Sequence, residues 1–187
     1  MKSDVILIVD CGSNKINAIE SVVDHNCDFH TLPFFSVSPT CLKDYKGIII
    51  SGAPILITEE DMAPFIEQAA WIKTAEIPIL GICFGHQLIG LLFEAFADRI
   101  KECRTINEIE SFVDCPILHR LPPVFEMQED HCECISIPKT FELVANSDEC
   151  INEVMQHLHK PIYGVQFHPE VSGNFGHILI ENFINLC

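Results

Sequence analysis

Val5-Ile6-Leu7-Ile8-Val9 is an unbroken apolar run, and it ends in Asp10-Cys11-Gly12-Ser13-Asn14, a turn-forming stretch. A strand with one wet face would alternate apolar and polar residues. This one does not, so it belongs in a sheet covered on both faces. The same pattern returns at Gly47-Ile48-Ile49-Ile50, followed by Ser51-Gly52-Ala53-Pro54. It returns again at Ile77-Pro78-Ile79-Leu80-Gly81-Ile82, where the proline stands at the strand start and costs least. Cys27 to Leu32 and Pro161 to Phe167 read as further strands.

Helical spacing fills the gaps. Ile16, Ile19, Val22 and Val23 share one face. Thr58 with Asp61 resembles a capping box, opening a helix with Met62, Phe65, Ile66, Ala69 and Ile72 on one side and Pro64 in or near its first turn. A helix is expected from about Gly85 to Ala97. Phe175, Ile178, Leu179, Phe183 and Leu186 mark a terminal one. Arg99 to Ser147 is less regular, with short strands expected near 110–114, 124–127, 132–137 and 141–145. Strand–helix alternation of this kind predicts an α/β fold, a three-layer αβα arrangement with a mainly parallel central sheet. No repeat, low-complexity tract or linker divides the chain, so residues 1–187 are expected to form a single domain.

Charge narrows the partners. Eleven basic and 27 acidic side chains give a net charge of −16. Nucleic-acid backbones and anionic membranes both select clustered Lys and Arg, so neither is an expected partner. The ten cysteines would suggest disulfides in a secreted chain. Here Met1-Lys2-Ser3-Asp4 is followed by only five apolar residues, too short for a leader or a membrane span. The expectation is a cytoplasmic protein with reduced thiols. No Cys-x-x-Cys occurs, and His131-Cys132-Glu133-Cys134 has poor ligand spacing with no second pair, so no metal is expected.

In such sheets, sites form beyond the carboxyl ends of the strands. Three segments lie there: Ser51-Gly52-Ala53-Pro54, Gly81-Ile82-Cys83-Phe84-Gly85 and His168-Pro169-Glu170. The second is G-x-C-x-G between a strand and a helix, a thiol version of the nucleophile elbow. Small flanking residues allow the sharp turn, and the helix N-terminus favours a thiolate. The free amide of Phe84 could stabilise an oxyanion. His168 and Glu170, two apart at a strand end, would point to the same side. Histidine could move the proton while the carboxylate orients it, completing a Cys–His–Glu triad. Gly52 and Ala53 could present backbone N–H groups to a substrate carbonyl.

Gly81-Ile82-Cys83-Phe84-Gly85-His86-Gln87 and Gly164-Val165-Gln166-Phe167-His168-Pro169-Glu170 resemble the signatures of the class I (triad) glutamine amidotransferases. The likeness runs from Asp10-Cys11-Gly12-Ser13 to the last helix. Within that family the chain most resembles the glutaminase unit of GMP synthases, through Val171 after His168-Pro169-Glu170, His131-x-Glu133-x-Ile135, Pro138-x-x-Phe141 and Lys160-Pro161-Ile162-Tyr163-Gly164. The resemblance implies a flavodoxin-like fold, L-glutamine as substrate and no cofactor. It implies that Cys83 attacks the side-chain amide, that His168 protonates the departing ammonia and then activates water, and that Glu170 orients His168. Gly52, Ala53 and Phe84 would form the oxyanion environment. Gln87 would help hold the substrate, with His131 and Glu133 at the site's edge. Ammonia would pass to a separate ATP-dependent synthetase aminating xanthosine monophosphate, because the chain has neither G-x-x-x-x-G-K-[ST] nor a Ser-Gly-Gly-x-Asp-Ser loop. Two alternatives stand beside this: a related amidotransferase or amidohydrolase for another γ-glutamyl compound or pathway, and a non-catalytic regulatory module of the same fold.

Several positions depart from the family pattern. Gly52-Ala53-Pro54 stands for Gly-Gly-Pro, which fits only if residue 53 needs no positive φ. Glu94-Ala95 stands for Gly-Gly, Glu102-Cys103-Arg104-Thr105-Ile106 lacks a Glu-aromatic-Gly segment, Ser172-Gly173 replaces His-Thr, and Glu133 replaces aspartate. These changes surround the triad and leave it intact.

Overall fold

The structure is a computed structural model and describes residues 4–187; Met1–Ser3, part of the segment on which the expectation about a leader rested, lie outside the described residues. The first strand, β1 (Ile6–Asp10), leads into α1 (Ile16–Asp24), β2 (Phe29–Pro33) and β3 (Gly47–Ile50). Next come α2 (Ala63–Gln68), which runs into a 3-10 turn at Ala69–Lys73, then β4 (Ile79–Ile82) and α3 (Phe84–Leu92). Seven strands follow: β5 (Ala97–Cys103), β6 (Ile106–Ser111), β7 (Val124–Gln128), β8 (His131–Ile135), β9 (Phe141–Asn146), β10 (Val154–His157) and β11 (Ile162–Val165). The terminal helix is α4 (Gly173–Leu186).

Among the described residues the strands form a nine-stranded sheet in the order β2-β1-β3-β4-β11-β10-β9-β6-β7, and β5 pairs separately with β8. From β2 to β11 every neighbour is parallel. Beyond β11 the pairs are antiparallel. The parallel half is buried on both faces, as its unbroken apolar runs require. Ile6, Ile8, Ile49, Leu80 and Ile82 share a core with Val22 of α1 and Leu179 and Phe183 of α4. Their neighbours Leu7, Val9, Ile48, Ile50 and Ile79 point the other way, toward Ile72 and toward Leu88 and Ile89 of α3. The period-2 alternation of each strand thus divides the core into two layers.

Several elements differ from the sequence expectation. The helix expected from Thr58 begins only at Ala63, with Asp61 accepting from the Ala63 amide at 3.0 Å; Thr58 donates to Glu133 instead of capping. The helix expected to reach Ala97 ends at Leu92. Glu94 adopts a left-handed φ of 70°, and the chain turns into β5. Residues 106–111 form the strand placed near 110–114, and β10 has no counterpart in the sequence expectation. The strand expected over 161–167 covers only 162–165, which frees the residues beyond it for the site. No helix among the described residues is long and apolar enough to cross a membrane.

The glycines around β4 set how closely α3 approaches the sheet. A Cβ on Gly85 would run into the carbonyl oxygen of Ile50, and one on Gly81 would lie 2.6 Å from the Gly85 carbonyl. Gly85→Ala should therefore lower the free energy of unfolding by about 2 kcal/mol, as overpacking does, measured by urea denaturation. At Glu94 the opposite change should help. A side chain in the left-handed region costs about 1 kcal/mol that glycine avoids, so Glu94→Gly should raise the urea midpoint with an unchanged slope.

Candidate active site

Ile82 ends β4, and Phe84 starts α3; Cys83 is the single residue between them, at φ 49° and ψ −104°. Such a backbone is costly for a residue with a side chain and persists only where its surroundings fix it. They do so here: the Cys83 amide donates to the Val165 carbonyl at 2.8 Å, and Gly81 and Gly85 allow the turn. The amide of Phe84 opens the helix and has no partner within it. The elbow therefore combines a projected sulfur with an unused N–H donor.

β3, β4 and β11 are adjacent in the sheet, so the segments beyond their carboxyl ends meet. A Cβ added to Gly52 would lie 3.1 Å from His168 Cε1 and 3.6 Å from Cys83 Cβ, so the loop after β3 abuts both groups. Ser51 fixes that loop by accepting from the Cys11 amide at 2.9 Å and donating to the Gly52 carbonyl at 2.9 Å. Ala53 is not among the described non-glycine residues with positive φ, so alanine replaces glycine there without strain.

His168 Nδ1 lies 2.7 Å from Glu170 Oε1, and both side chains are buried. The route to this contact is not the one expected. Both residues lie past β11, with Glu170 inside a 3-10 turn, Pro169–Val171, that folds it back onto the imidazole. Burial by itself lowers the His168 pKa. Hydrogen bonding to the Cys83 sulfur and to Glu170, reinforced by their negative charge, outweighs it and pushes the value up to about 10. Ser172 holds the histidine backbone: its hydroxyl donates to the His168 carbonyl at 2.6 Å and accepts from the Gln128 amide at 2.9 Å. The departure at 172 thus supplies a clamp that sequence reasoning misses. Its only sequence signal is a hydroxyl four residues after the histidine.

A cavity of about 360 Å³ opens over this arrangement, with Cys83 and His168 in its wall beside Ala53 and Gln87. Its rim carries Lys15, Arg104 and Asp130, none of which the sequence singles out. Lys15 Nζ lies 2.5 Å from Asp130 Oδ2. Partial burial raises the Asp130 pKa, but the hydrogen bond and charge of Lys15 bring it down below its ordinary value.

Gln87, Glu133 and His131 all line the cavity, and each is also engaged by the surrounding fold. Gln87 lines the cavity, yet its amide nitrogen donates to the Glu133 carbonyl at 3.1 Å and to Gln166 Oε1 at 3.2 Å. Gln166 in turn reaches Cys83 Sγ at 3.6 Å, so Gln87 braces the nucleophile from behind. Glu133 also reaches the cavity wall, but its carboxylate is taken up by the amides of Ile57 and Thr58, at 2.6 and 3.1 Å, and by the Thr58 hydroxyl. It anchors the loop along the cavity. His131 is buried in the cavity wall, with Nδ1 3.2 Å from the Glu133 carbonyl and Nε2 2.9 Å from Glu129 Oε2. Burial and the neighbouring Glu129 charge push the Glu153 pKa well above the ordinary carboxylate range. His86, one turn into α3, is fully buried, and burial lowers its pKa to about 3.

Residues 7–186 match the family model described as glutamine amidotransferase class-I. A glutamine-hydrolyzing GMP synthase subunit of Methanocaldococcus jannaschii is 37% identical over 191 residues, covering 98% of this chain and 97% of that protein. The protein of the same name from Pyrococcus abyssi is 33% identical, with 98% of each covered. The crystal structure of a candidate GMP synthase subunit from Thermoplasma acidophilum superposes with a TM-score of 0.89 at 29% identity, covering 98% of this chain and 93% of that one.

The raised His168 pKa has a consequence for stability. An unfolded histidine titrates near 6.5, so the folded state holds this proton more tightly. The stabilisation is complete below pH 6.5 and is lost as pH rises toward about 10. Urea unfolding of the wild type and His168→Gln should show a stability gap that narrows across this range. A gap that is constant or widens contradicts the assignment.

Proposed function

This chain belongs to the class-I glutamine amidotransferase family, and from that premise we propose that it is the glutaminase component of a two-chain GMP synthase. It hydrolyses L-glutamine to glutamate and ammonia, and the ammonia passes to a separate ATP-dependent synthetase that aminates xanthosine monophosphate. The observation that carries the chemistry is the meeting of Cys83, His168 and Glu170 beside one cavity, with Cys83 and His168 in its wall. The synthetase assignment rests on the two GMP synthase subunits that match this chain over nearly their whole length. The unpaired thiols of the nine described cysteines support a reducing, cytoplasmic setting.

The proposed sequence of steps uses only these groups. Cys83 Sγ attacks the side-chain carbonyl carbon of glutamine, and the developing oxyanion is met by backbone amides of the Gly52–Ala53 loop and Phe84. The proton held by His168 goes to the leaving nitrogen, because ammonia and not an amide anion must depart. The now neutral imidazole takes a proton from water, which attacks the glutamyl thioester and releases glutamate. Glu170 accepts from Nδ1 throughout, which keeps Nε2 turned to the reacting atoms. The Glu133-anchored loop and the Lys15–Asp130 pair border the space left for the amino acid end of the substrate.

Two measurements test the proposal. The glutamine analogue 6-diazo-5-oxo-norleucine should label Cys83, and Cys83→Ala should abolish glutaminase activity. Labelling of other thiols with Cys83 inert would favour a non-catalytic module. Ammonia release should rise when a candidate synthetase, xanthosine monophosphate and ATP are added together. No stimulation and no co-purification would remove the GMP synthase assignment and leave a glutaminase of another pathway.

A further inference from the structure

Beside the triad lies a second cluster that the mechanism does not use, one member of which, His131, also lines the cavity. Glu129 follows β7, His131 begins β8 and Glu153 precedes β10, and all three are buried. One donor atom from each lies within 4.8 Å of the others. Neither oxygen of Glu129 accepts a hydrogen bond, nor does Glu153 Oε2, and His131 Nε2 has no hydrogen-bonded partner despite lying 2.9 Å from Glu129 Oε2. Among the described residues no lysine or arginine pairs with either carboxylate. Glu153 Oε1 accepts from the Ser147 hydroxyl at 2.6 Å, but the three remaining carboxylate oxygens and the imidazole nitrogen have no other donor, a costly arrangement unless a proton or a cation lies between them.

We propose that Glu129, His131 and Glu153 bind a first-row divalent cation of the zinc type. His131 is set up for this: a hydrogen bond from Nδ1 to the Glu133 carbonyl at 3.2 Å leaves the Nε2 lone pair directed at the two carboxylates. One imidazole and two carboxylates suit zinc or a neighbouring borderline cation, and three protein donors leave room for a fourth ligand. Ligand atoms about 2.1 Å from a tetrahedral ion stand about 3.4 Å apart, so the His131–Glu129 pair at 2.9 Å would open slightly and the other donors, within 4.8 Å, would close in. The location gives the ion a positioning role. Glu129 and His131 flank Asp130, whose carbonyl lies 4.0 Å from Cys83 Sγ, and the neighbouring Gln128 carbonyl accepts from the His168 amide at 2.9 Å. A cation would pin the segment against which both reacting side chains rest.

Cobalt(II) titration of the purified, chelator-treated full chain tests this. It should show a single bound ion per chain, displaced by zinc, with visible d–d bands and no thiolate-to-cobalt charge transfer. Glu153→Gln keeps the shape of a protonated acid while removing a ligand, and it should weaken binding by at least about 10-fold. At the same zinc concentration the Tm should rise more in the wild type than in this variant. Three results would overturn the proposal: charge-transfer bands, which place the ion on thiols; wild-type affinity in both Glu129→Gln and Glu153→Gln; or no uptake with an unmoved Tm. The last would leave the two glutamates sharing a proton. The readout is binding, so it is independent of whether the chain acts on glutamine.

Discussion

The site depends on how closely α3 comes to the ends of β3 and β4. Helix and sheet meet through Gly81 and Gly85, where a single added carbon would strike backbone. That approach forces the one residue between strand and helix into a left-handed conformation and projects its side chain. It also aims the free amides of the helix start at the same space. No other cysteine among the described residues stands at such a turn. The nine cysteines whose side chains are described are all unpaired thiols, and Cys83 differs from the others by its backbone.

The second constraint is electrostatic. His168 and Glu170 are buried, and burial works against charge on both. Their 2.7 Å contact and the nearby sulfur reverse that penalty for the imidazole. Supporting contacts converge from distant parts of the chain. Ser172 and Gln128 hold the His168 backbone, Gln166 and Gln87 brace Cys83, and Glu133 holds the loop over Ile57 and Thr58. Two of these braces, Gln128 and Glu133, come from strands outside the parallel half of the sheet. The parallel half therefore presents the reacting groups, and its surroundings fix their orientation.

Much of the parallel half is legible in the sequence because burial on both faces leaves unbroken apolar runs, as in Val5–Val9 and Gly47–Ile50. The antiparallel half is less so. Strands such as β6 and β10 mix charged or polar and apolar residues, and their pairing depends on partners far along the chain. Sequence misplaces the end of α3 because Glu94, a good helix former, occupies a left-handed position there. The nucleophile elbow is readable because its glycines and cysteine are local. The contact between His168 and Glu170 is expected on the wrong geometry: a 3-10 turn, not strand alternation, makes it. Gln87, His131 and Glu133 do line the cavity, but the contacts that engage them, with Gln166, Glu129 and the Ile57–Thr58 backbone, lie far along the chain and leave no local signal. Ser172, Lys15, Asp130 and Arg104 carry almost no local signal.

The most direct test of the central claim is to trap the covalent intermediate. The purified chain, with its synthetase if required, would be mixed with L-glutamine, quenched in acid within the first turnovers and mapped by peptide mass spectrometry. A glutamyl adduct on the peptide bearing Cys83, absent in Cys83→Ala, is the predicted result. Turnover of glutamine with no adduct on Cys83, or with the adduct on another cysteine, would contradict it.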